Sequence, residues 1–356
     1  MAVEELSDES VIARTTEVAR RRWRDAVVSD VRRLEGGVSS LTFAARISIG
    51  DGVKDVVLKL APPGLEPLGN RDVLRQAWIL DRLASLDGFP VPAVLLRDEG
   101  DPPGIPPMFA MQRHAGQAYE PLLDLSDTPP TATEVVAREH ELTRALARLQ
   151  SCTPDELGVS GEPAAPVAEE LARWRRLLTT VDPDIAPGHE KLAERLAKRT
   201  PAEIAPRLVH GDYRAANMLF IGSRLEAIID WEIWSVGDPR RDLAWILMHT
   251  HPAHAFHSDR SPGDREAGRL MPSADDLLAT YVDARRSLGA STCQLTCDTA
   301  DLPWFGGVAH YKVVATIGAI WKRERKRASP NPAVECAAAR LDVVLAAGHA
   351  ALDAWT

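Results

Sequence analysis

The sequence predicts an α+β chain in which a small antiparallel sheet with one helix is followed by a mainly helical region. Two neighbouring β-rich segments carry the first half of that expectation, LEGGVSSLTFAARISIG (34–50) and VKDVVLKLAPPG (53–64), separated by turn residues. The run RDVLRQAWILDRLASL (71–86) then spaces Val73, Ala77, Leu80 and Leu83 at helical intervals. Beyond residue 130, helix periodicity and capping residues dominate.

In chain order, residues 8–34 read as one basic helix, with Arg20, Arg21, Arg22 and Arg24 around Trp23 as a solvated face. The two strands follow, with Gly36 and Gly37 at the first turn, and then the helix over 71–86. FPVPAVLL (89–96) and PPMFAMQRHAG (106–116) suggest further extended segments, which places an N-terminal lobe at 1–113 and a helical C-terminal lobe at 114–356. Proline-rich loops are expected near 102–107 and 127–130. The later helices are TEVVAREHELTRALARLQ, with Thr133 as its N-cap, PVAEELARWRRLLTTV, PSADDLLATYVDARRSLG, the stretch from Trp304 to Arg327, and a final alanine-rich segment.

The totals bound the partners. A chain of 356 residues with 45% hydrophobic and 26% charged residues buries a sizeable core and suits one large or two medium domains. A net charge of -9 argues against general nucleic-acid affinity. Cys152, Cys293, Cys297 and Cys336 are too few and too scattered for a disulfide scaffold or a zinc site. The opening MAVEELSDES lacks an apolar leader core, and the chain lacks an apolar run of membrane-spanning length. The expectation is a soluble cytoplasmic protein, monomer or homodimer, with neither a nucleic acid nor a membrane as partner.

The chemistry centres on LVHGDYRAANMLF (208–220), which puts His210, Asp212 and Asn217 between apolar flanks. Residues 217–221 and 224–229 read as strands joined by a Gly222-Ser223 turn. In that register Asn217 opposes Ile228, and Asp230 lies two residues further along the same face. Such diagonal neighbours are about 7–8 Å apart, a span that one Mg²⁺ with oxygen ligands at about 2.0–2.1 Å could bridge. Asp212, from the loop just before, is placed to receive the proton of an attacking hydroxyl. Lys59 stands inside the apolar strand VVLKL, where an unpaired ammonium is costly, so it needs an anion such as the phosphates of ATP. Gly36, Gly37, Ser39 and Ser40 could form the turn covering those phosphates.

VHGDYRAANMLF, AIIDWEIWSVGDPRRDLAW and WFGGVAHYKVVATIGAIWKR resemble the aminoglycoside phosphotransferase family, above all the kinase-like domains associated with acyl-CoA dehydrogenases. The resemblance spans about residues 30–330. It implies a two-lobed protein-kinase-like fold with ATP between the lobes, Asp212 as catalytic base, Asn217 and Asp230 as Mg²⁺ ligands, and Lys59 on the α and β phosphates. It further implies that His210 and Asp242 brace the catalytic loop and that backbone near Met111 to Arg113 meets adenine. The chain departs from the family where Gln76 replaces the helix glutamate that pairs with the strand lysine. Asp72, or a neutral Gln76 hydrogen bond, are the two substitutes. Gln150 also replaces a common histidine.

GxxxxGK[ST] and GxSxG are both absent, which disfavours a P-loop NTPase and a serine hydrolase. The short interval from Asp230 to Asp242 leaves no room for the peptide-presenting segment of a protein kinase. In HTHPAHAFH, His249, His251, His254 and His257 are expected at a substrate lip or in solvent rather than on a metal. KRERKR (322–327) reads as a solvated helix end. The function expected is ATP- and Mg²⁺-dependent phosphoryl transfer to a small-molecule hydroxyl, on a hydroxyacyl-CoA-like metabolite or an aminoglycoside-like acceptor. The alternative is a nucleotide-binding regulatory protein with weak or no transferase activity, motivated by Gln76.

Overall fold

A computed structural model describes residues 7–34, 39–257 and 259–355. The chain divides into two compact units, Met1–Gly116 with Glu226–Trp234, and Gln117–Leu225 with Ser235–Thr356.

In the first unit, α1 (Asp8–Arg22) is capped by the Ser7 side chain and ends at Trp23, whose backbone is extended. The single helix expected over 8–34 is therefore corrected, because Val27–Arg33 forms strand β1. Val27, Val28 and Val31 favour the pleat over the helix. Pairing with β2 (Leu41–Ile49) sets Val28 opposite Ile47. Ala26 and Val28 then join Val11 and Val18 of α1 in one core. Arg21 pairs with Asp98 and Arg22 donates to the Leu95 carbonyl, so part of the basic face is tied down rather than solvated. With β3 (Gly52–Leu60), β4 (Val94–Asp98) and β5 (Met108–Gln112) the sheet runs β1-β2-β3-β5-β4, every pairing antiparallel. The helix α2 (Val73–Ala84) starts at Asp72, whose side chain accepts from Arg75 N, and buries Val73, Gln76, Ala77, Leu80 and Leu83. Trp234 closes the unit against α2, with its ring stacked on Trp78 at 5.6 Å and under the Arg75 guanidinium at 3.6 Å. Gly36 and Gly37 lie outside the described residues.

The second unit contains α3 (Ala132–Leu149), β6 (Ala164–Ala165), α4 (Val167–Leu178), α5 (His189–Lys198), β7 (Arg207–Val209), and the hairpin strand β8 (Met218–Ile221) with the start of its partner β9 (Arg224–Ile228), which is assigned to the first unit from Glu226 onward. It continues with β10 (Ser235–Gly237), α6 (Arg240–His249), α7 (Pro262–Arg269), α8 (Ala274–Ser287), α9 (Thr292–Thr299), α10 (Leu302–Glu324), α11 (Pro332–Ala338) and α12 (Leu341–Asp353). The hairpin forms where expected around Gly222, at φ +59°, but Asn217 closes a 3-10 turn, Ala215–Asn217, instead of opening the strand. The small sheet β6-β10-β7 was not expected from the sequence. Its strands are two or three residues long, too short for an alternating pattern to register.

The long helix α10 is the axis of this unit. It buries Trp304, Tyr311 and Val314 in a core shared with α4, α5, α6 and α12. Close approach of α10 and α5 to α12 uses glycine, since a Cβ on Gly348 would stand 3.2 Å from His310 Cβ on α10 and 2.6 Å from a Leu192 methyl on α5. At its C-terminus Arg325 pairs with Asp182 and Asp184, and Lys322 donates to the Thr180 carbonyl. Among the described residues, no helix is long and apolar enough to cross a membrane.

The N-cap of α3 is Thr131, not Thr133. Thr131 and Glu134 form a reciprocal capping box, which a threonine at 133 cannot make with a glutamate at 134. Thr131→Ala is expected to cost about 1 kcal/mol, and Thr133→Ala, on the exposed surface, about 0.5 kcal/mol or less. Paired thermal melts of the two variants check this; equal losses would put the cap back at 133.

Candidate active site

β7 delivers the chain into a loop whose backbone is held almost atom by atom. His210 N donates to Asp242 Oδ2 at 2.6 Å and Gly211 N to Asp242 Oδ1 at 3.0 Å, so both oxygens of this buried α6 carboxylate solvate the loop. Burial raises the Asp242 carboxyl, with His210 and the two amides working against it. Asp212 N donates to His210 Nδ1 at 3.2 Å, and the carbonyl of Gly211 accepts from Lys312 Nζ of α10.

The Asp212 side chain is equally constrained. Oδ1 accepts from Trp245 Nε1 at 3.0 Å and Oδ2 from Asn217 Nδ2 at 2.9 Å, while Asn217 Nδ2 also reaches the Asp212 carbonyl at 2.8 Å. Arg214 Nε stands 3.4 Å from Oδ1. Burial works to raise this carboxyl, but Arg214 and Lys312 outweigh it and hold Asp212 well below the usual carboxylate range. The group is therefore an ionised acceptor with fixed direction. Because Asn217 spends its NH₂ on Asp212, its Oδ1 is the end left for a cation.

Around this loop the second unit buries further charge. Glu120 accepts from Ala216 N at 3.2 Å and lies 3.7 Å from Arg214; burial, offset in part by Arg214, pushes it up to about 7. Lys312 sits over the Trp245 ring at 3.6 Å, and burial pulls its ammonium down to about 8. A pocket of about 310 Å³ open to solvent is lined by Gly211, Asp242, Trp245, Lys312, Glu170 and Arg241, among others. Arg241 and Glu170 there form an ion pair.

In the first unit Lys59 Nζ meets Asp230 Oδ1 at 2.6 Å, with the lysine side chain 9% exposed and the aspartate 37%. Asp230 holds a left-handed backbone, φ +64°. Few non-glycine residues adopt that conformation, aspartate more readily than most, and such backbone tends to cluster at functional sites. Neither substitute for the missing helix glutamate engages Lys59. Asp72 caps α2, and Gln76 is buried with its Nε2 unpaired. Ser39 gives its hydroxyl to Glu232, and Ser40 is buried. Met111 lies within β5, opposite Val57, and Arg113 N donates to the Asp55 carbonyl at 3.0 Å. Gln150, in the second unit, is buried between the Pro239 carbonyl and the Tyr281 hydroxyl.

Two of the four tract histidines depart from the expectation of lip or solvent side chains, while His251 is exposed and His257 half-buried. His249 and His254 are buried, and His254 Nε2 meets Nδ1 of His310 on α10 at 3.1 Å. Burial lowers His249 to about 3 and His254 to about 2, so both are neutral. Among the described residues, histidine, cysteine, aspartate and glutamate nowhere gather in threes in a way that could hold a metal. Trp245, Arg214, Glu120 and Lys312 were not picked out from the sequence. The signal was present for Lys312, a lone cation within the apolar stretch GGVAHYKVVATIG.

A candidate aminoglycoside phosphotransferase of Ralstonia eutropha superposes with a TM-score of 0.72 at 19% identity, over 98% of each chain. Aminoglycoside phosphotransferase APH(4)-Ia, in a ternary complex with AMP-PNP and hygromycin B, superposes at 0.58 and 16% identity, over 94% of this chain and 98% of that one. The fold is thus the kinase-like fold of these enzymes, an antiparallel sheet followed by a mostly helical remainder. Mouse acyl-CoA dehydrogenase family member 10 is 25% identical over 262 residues, 71% of this chain but 23% of its own length. The chain spans about a quarter to a third of the first such relatives it matches. Residues 30–275 match the phosphotransferase enzyme family, and the chain belongs to it.

Proposed function

We propose that the protein is an ATP- and Mg²⁺-dependent phosphotransferase whose acceptor is the hydroxyl of a small molecule. The observation that carries this is Asp212, an ionised carboxylate aimed by Trp245 and Asn217 and flanked by Arg214. The acceptor hydroxyl donates its hydrogen bond to Asp212 and its oxygen attacks the γ-phosphorus. The bond from that phosphorus to the bridging oxygen of ADP breaks. The hydroxyl proton passes to Asp212 late, once the new P–O bond has made the alcohol acidic. Arg214 stands beside the same carboxylate, a position from which it neutralises charge on the transferring group.

Asn217 and Asp230 each offer the oxygen chemistry Mg²⁺ takes, since the ion commonly binds one or two protein oxygens and completes its shell with phosphates and water. Asn217 Oδ1 is left over from the Asp212 contacts, and Asp230 has one oxygen beyond its bond to Lys59. When bound, the ion neutralises phosphate charge. Lys59 would hold the α and β phosphates, exchanging Asp230 for them. The similarity to acyl-CoA dehydrogenase family members favours a hydroxyacyl-CoA-like acceptor, with an aminoglycoside-like one as the second candidate. The unpaired Gln76 amide favours the rival reading, a nucleotide-binding regulator.

Two measurements decide. ADP release from Mg²⁺-ATP is followed with hydroxyacyl thioesters and aminoglycosides as acceptors. Asp212→Asn is expected to lower acceptor-stimulated release about 10²–10⁴-fold while leaving ATP binding by calorimetry in place. Tight ATP binding by wild type without stimulated release from either acceptor class would instead support the regulator. Lys59→Met is expected to weaken ATP binding about 10–100-fold through loss of charge-assisted bonds. An unchanged affinity would remove Lys59 from the phosphate site.

A further inference from the structure

We propose that Lys312 is a positioning residue for Asp212, acting through the Gly211–Asp212 peptide and the Trp245 indole; this rests on Asp212 being the group that receives the acceptor's proton. Lys312 touches no reacting atom. Its Nζ donates to the Gly211 carbonyl, while the N–H of the same peptide donates to His210 Nδ1 at 3.2 Å. The peptide that leads into Asp212 is thus fixed at both ends. The left-handed φ of +88° at Gly211, which a side chain would strain, is part of what directs that carbonyl.

The second route is electronic. The Lys312 ammonium lies 3.6 Å from the centroid of the Trp245 ring and 5.5 Å from that of Trp174. A cation on the indole face draws electron density from the ring and makes its edge N–H a stronger donor. That N–H is the one bonded to Asp212 Oδ1 at 3.0 Å. One buried cation therefore sets both the main chain and the side chain of Asp212.

Charged and titratable groups face Lys312 from three elements. Asp212 comes from the loop, Glu170 from α4, and Arg241, Asp242 and His249 from α6. Arg241 is neutralised by Glu170, and His249 is uncharged, with Nδ1–H on the Trp245 carbonyl at 2.8 Å. Burial lowers the lysine against the pull of the carboxylates, so it is charged below about pH 8 and neutral above it. The field on Trp245 is present on the acid side of that midpoint and is lost as pH rises through it.

The test uses the whole chain with Mg²⁺-ATP and water as acceptor, in wild type, Lys312→Arg and Lys312→Met, across neutral and alkaline pH. Wild-type kcat should decline through an apparent pKa of about 8. Lys312→Arg, which stays charged, should abolish that decline. Lys312→Met should lower kcat about 100-fold with KM for ATP unchanged. A folded Lys312→Met with wild-type kcat, or an alkaline decline that persists in Lys312→Arg, overturns the proposal. A second readout is independent of turnover: the ¹⁵N signal of the Trp245 indole, assigned with Trp245→Phe, should titrate with the same midpoint in wild type and stay flat in Lys312→Arg. An indole signal that does not move overturns the proposal, even if wild type releases no ADP to water; an indole that titrates in wild type and stays flat in Lys312→Arg supports it, and the phosphotransferase reading is decided separately by the hydroxyacyl thioester and aminoglycoside acceptors.

Discussion

The peptide joining Gly211 to Asp212 is the constraint on which the second unit depends. Its carbonyl is held by a buried ammonium, its N–H by a buried imidazole, and the two amides before it by a buried carboxylate. Each of these side chains would be costly to bury alone, and each is solvated by backbone instead. The helices are arranged to deliver them. On α6, Asp242, Trp245 and His249 recur at helical spacing and so share one face. On α10, Lys312 shares the interior with Tyr311 and Val314. The apolar core beneath, from Trp174 to Leu352, makes these positions stiff enough for hydrogen bonds near 3 Å to define a direction for Asp212.

The first unit solves a related problem differently. Lys59 sits near the end of β3 between the buried Leu58 and Leu60, and its charge is met by a carboxylate from a residue in a left-handed backbone conformation. A helix residue could have supplied that counter-charge, but Gln76 cannot, and Asp72 is committed to capping α2. Among the described residues the ammonium therefore has one anionic partner, itself more than a third exposed, a pair weaker than a fully buried one and easier to exchange.

How much of this was legible in the sequence follows the range of the forces involved. The strand pair around Gly50, the helix over 73–84 and the hairpin at Gly222 are local, and alternation or helical spacing reports them. His210, Asp212 and Asn217 announced themselves because polar residues sat together between apolar flanks. The boundary between α1 and β1 did not, since a run of arginines continues across it and only pairing with β2 selects the strand. The burial of His249 and His254 was invisible for a similar reason. For His254 it depends on His310, which is brought to it by tertiary packing rather than by sequence neighbourhood. The cost argument that singled out Lys59 applied equally to Lys312, but a long apolar helix hides a cation better than the short apolar run VVLKL does.

Opposite charges on either side of Gly211, on successive peptides, have a consequence beyond satisfaction of polar groups. Asp242 faces N–H groups and Lys312 faces a C=O, so the backbone dipoles between them point from the ammonium's acceptor towards the carboxylate's donors, and both charges are stabilised by the same alignment. Neither has to bond directly to Asp212 to be buried next to it. The side chain of Asp212 is thereby met by donors alone, the indole, the Asn217 amide and, further off, the Arg214 guanidinium. A carboxylate surrounded only by donors is ionised, fixed in direction and still carries lone pairs for one more hydrogen bond, which is the condition an incoming hydroxyl requires.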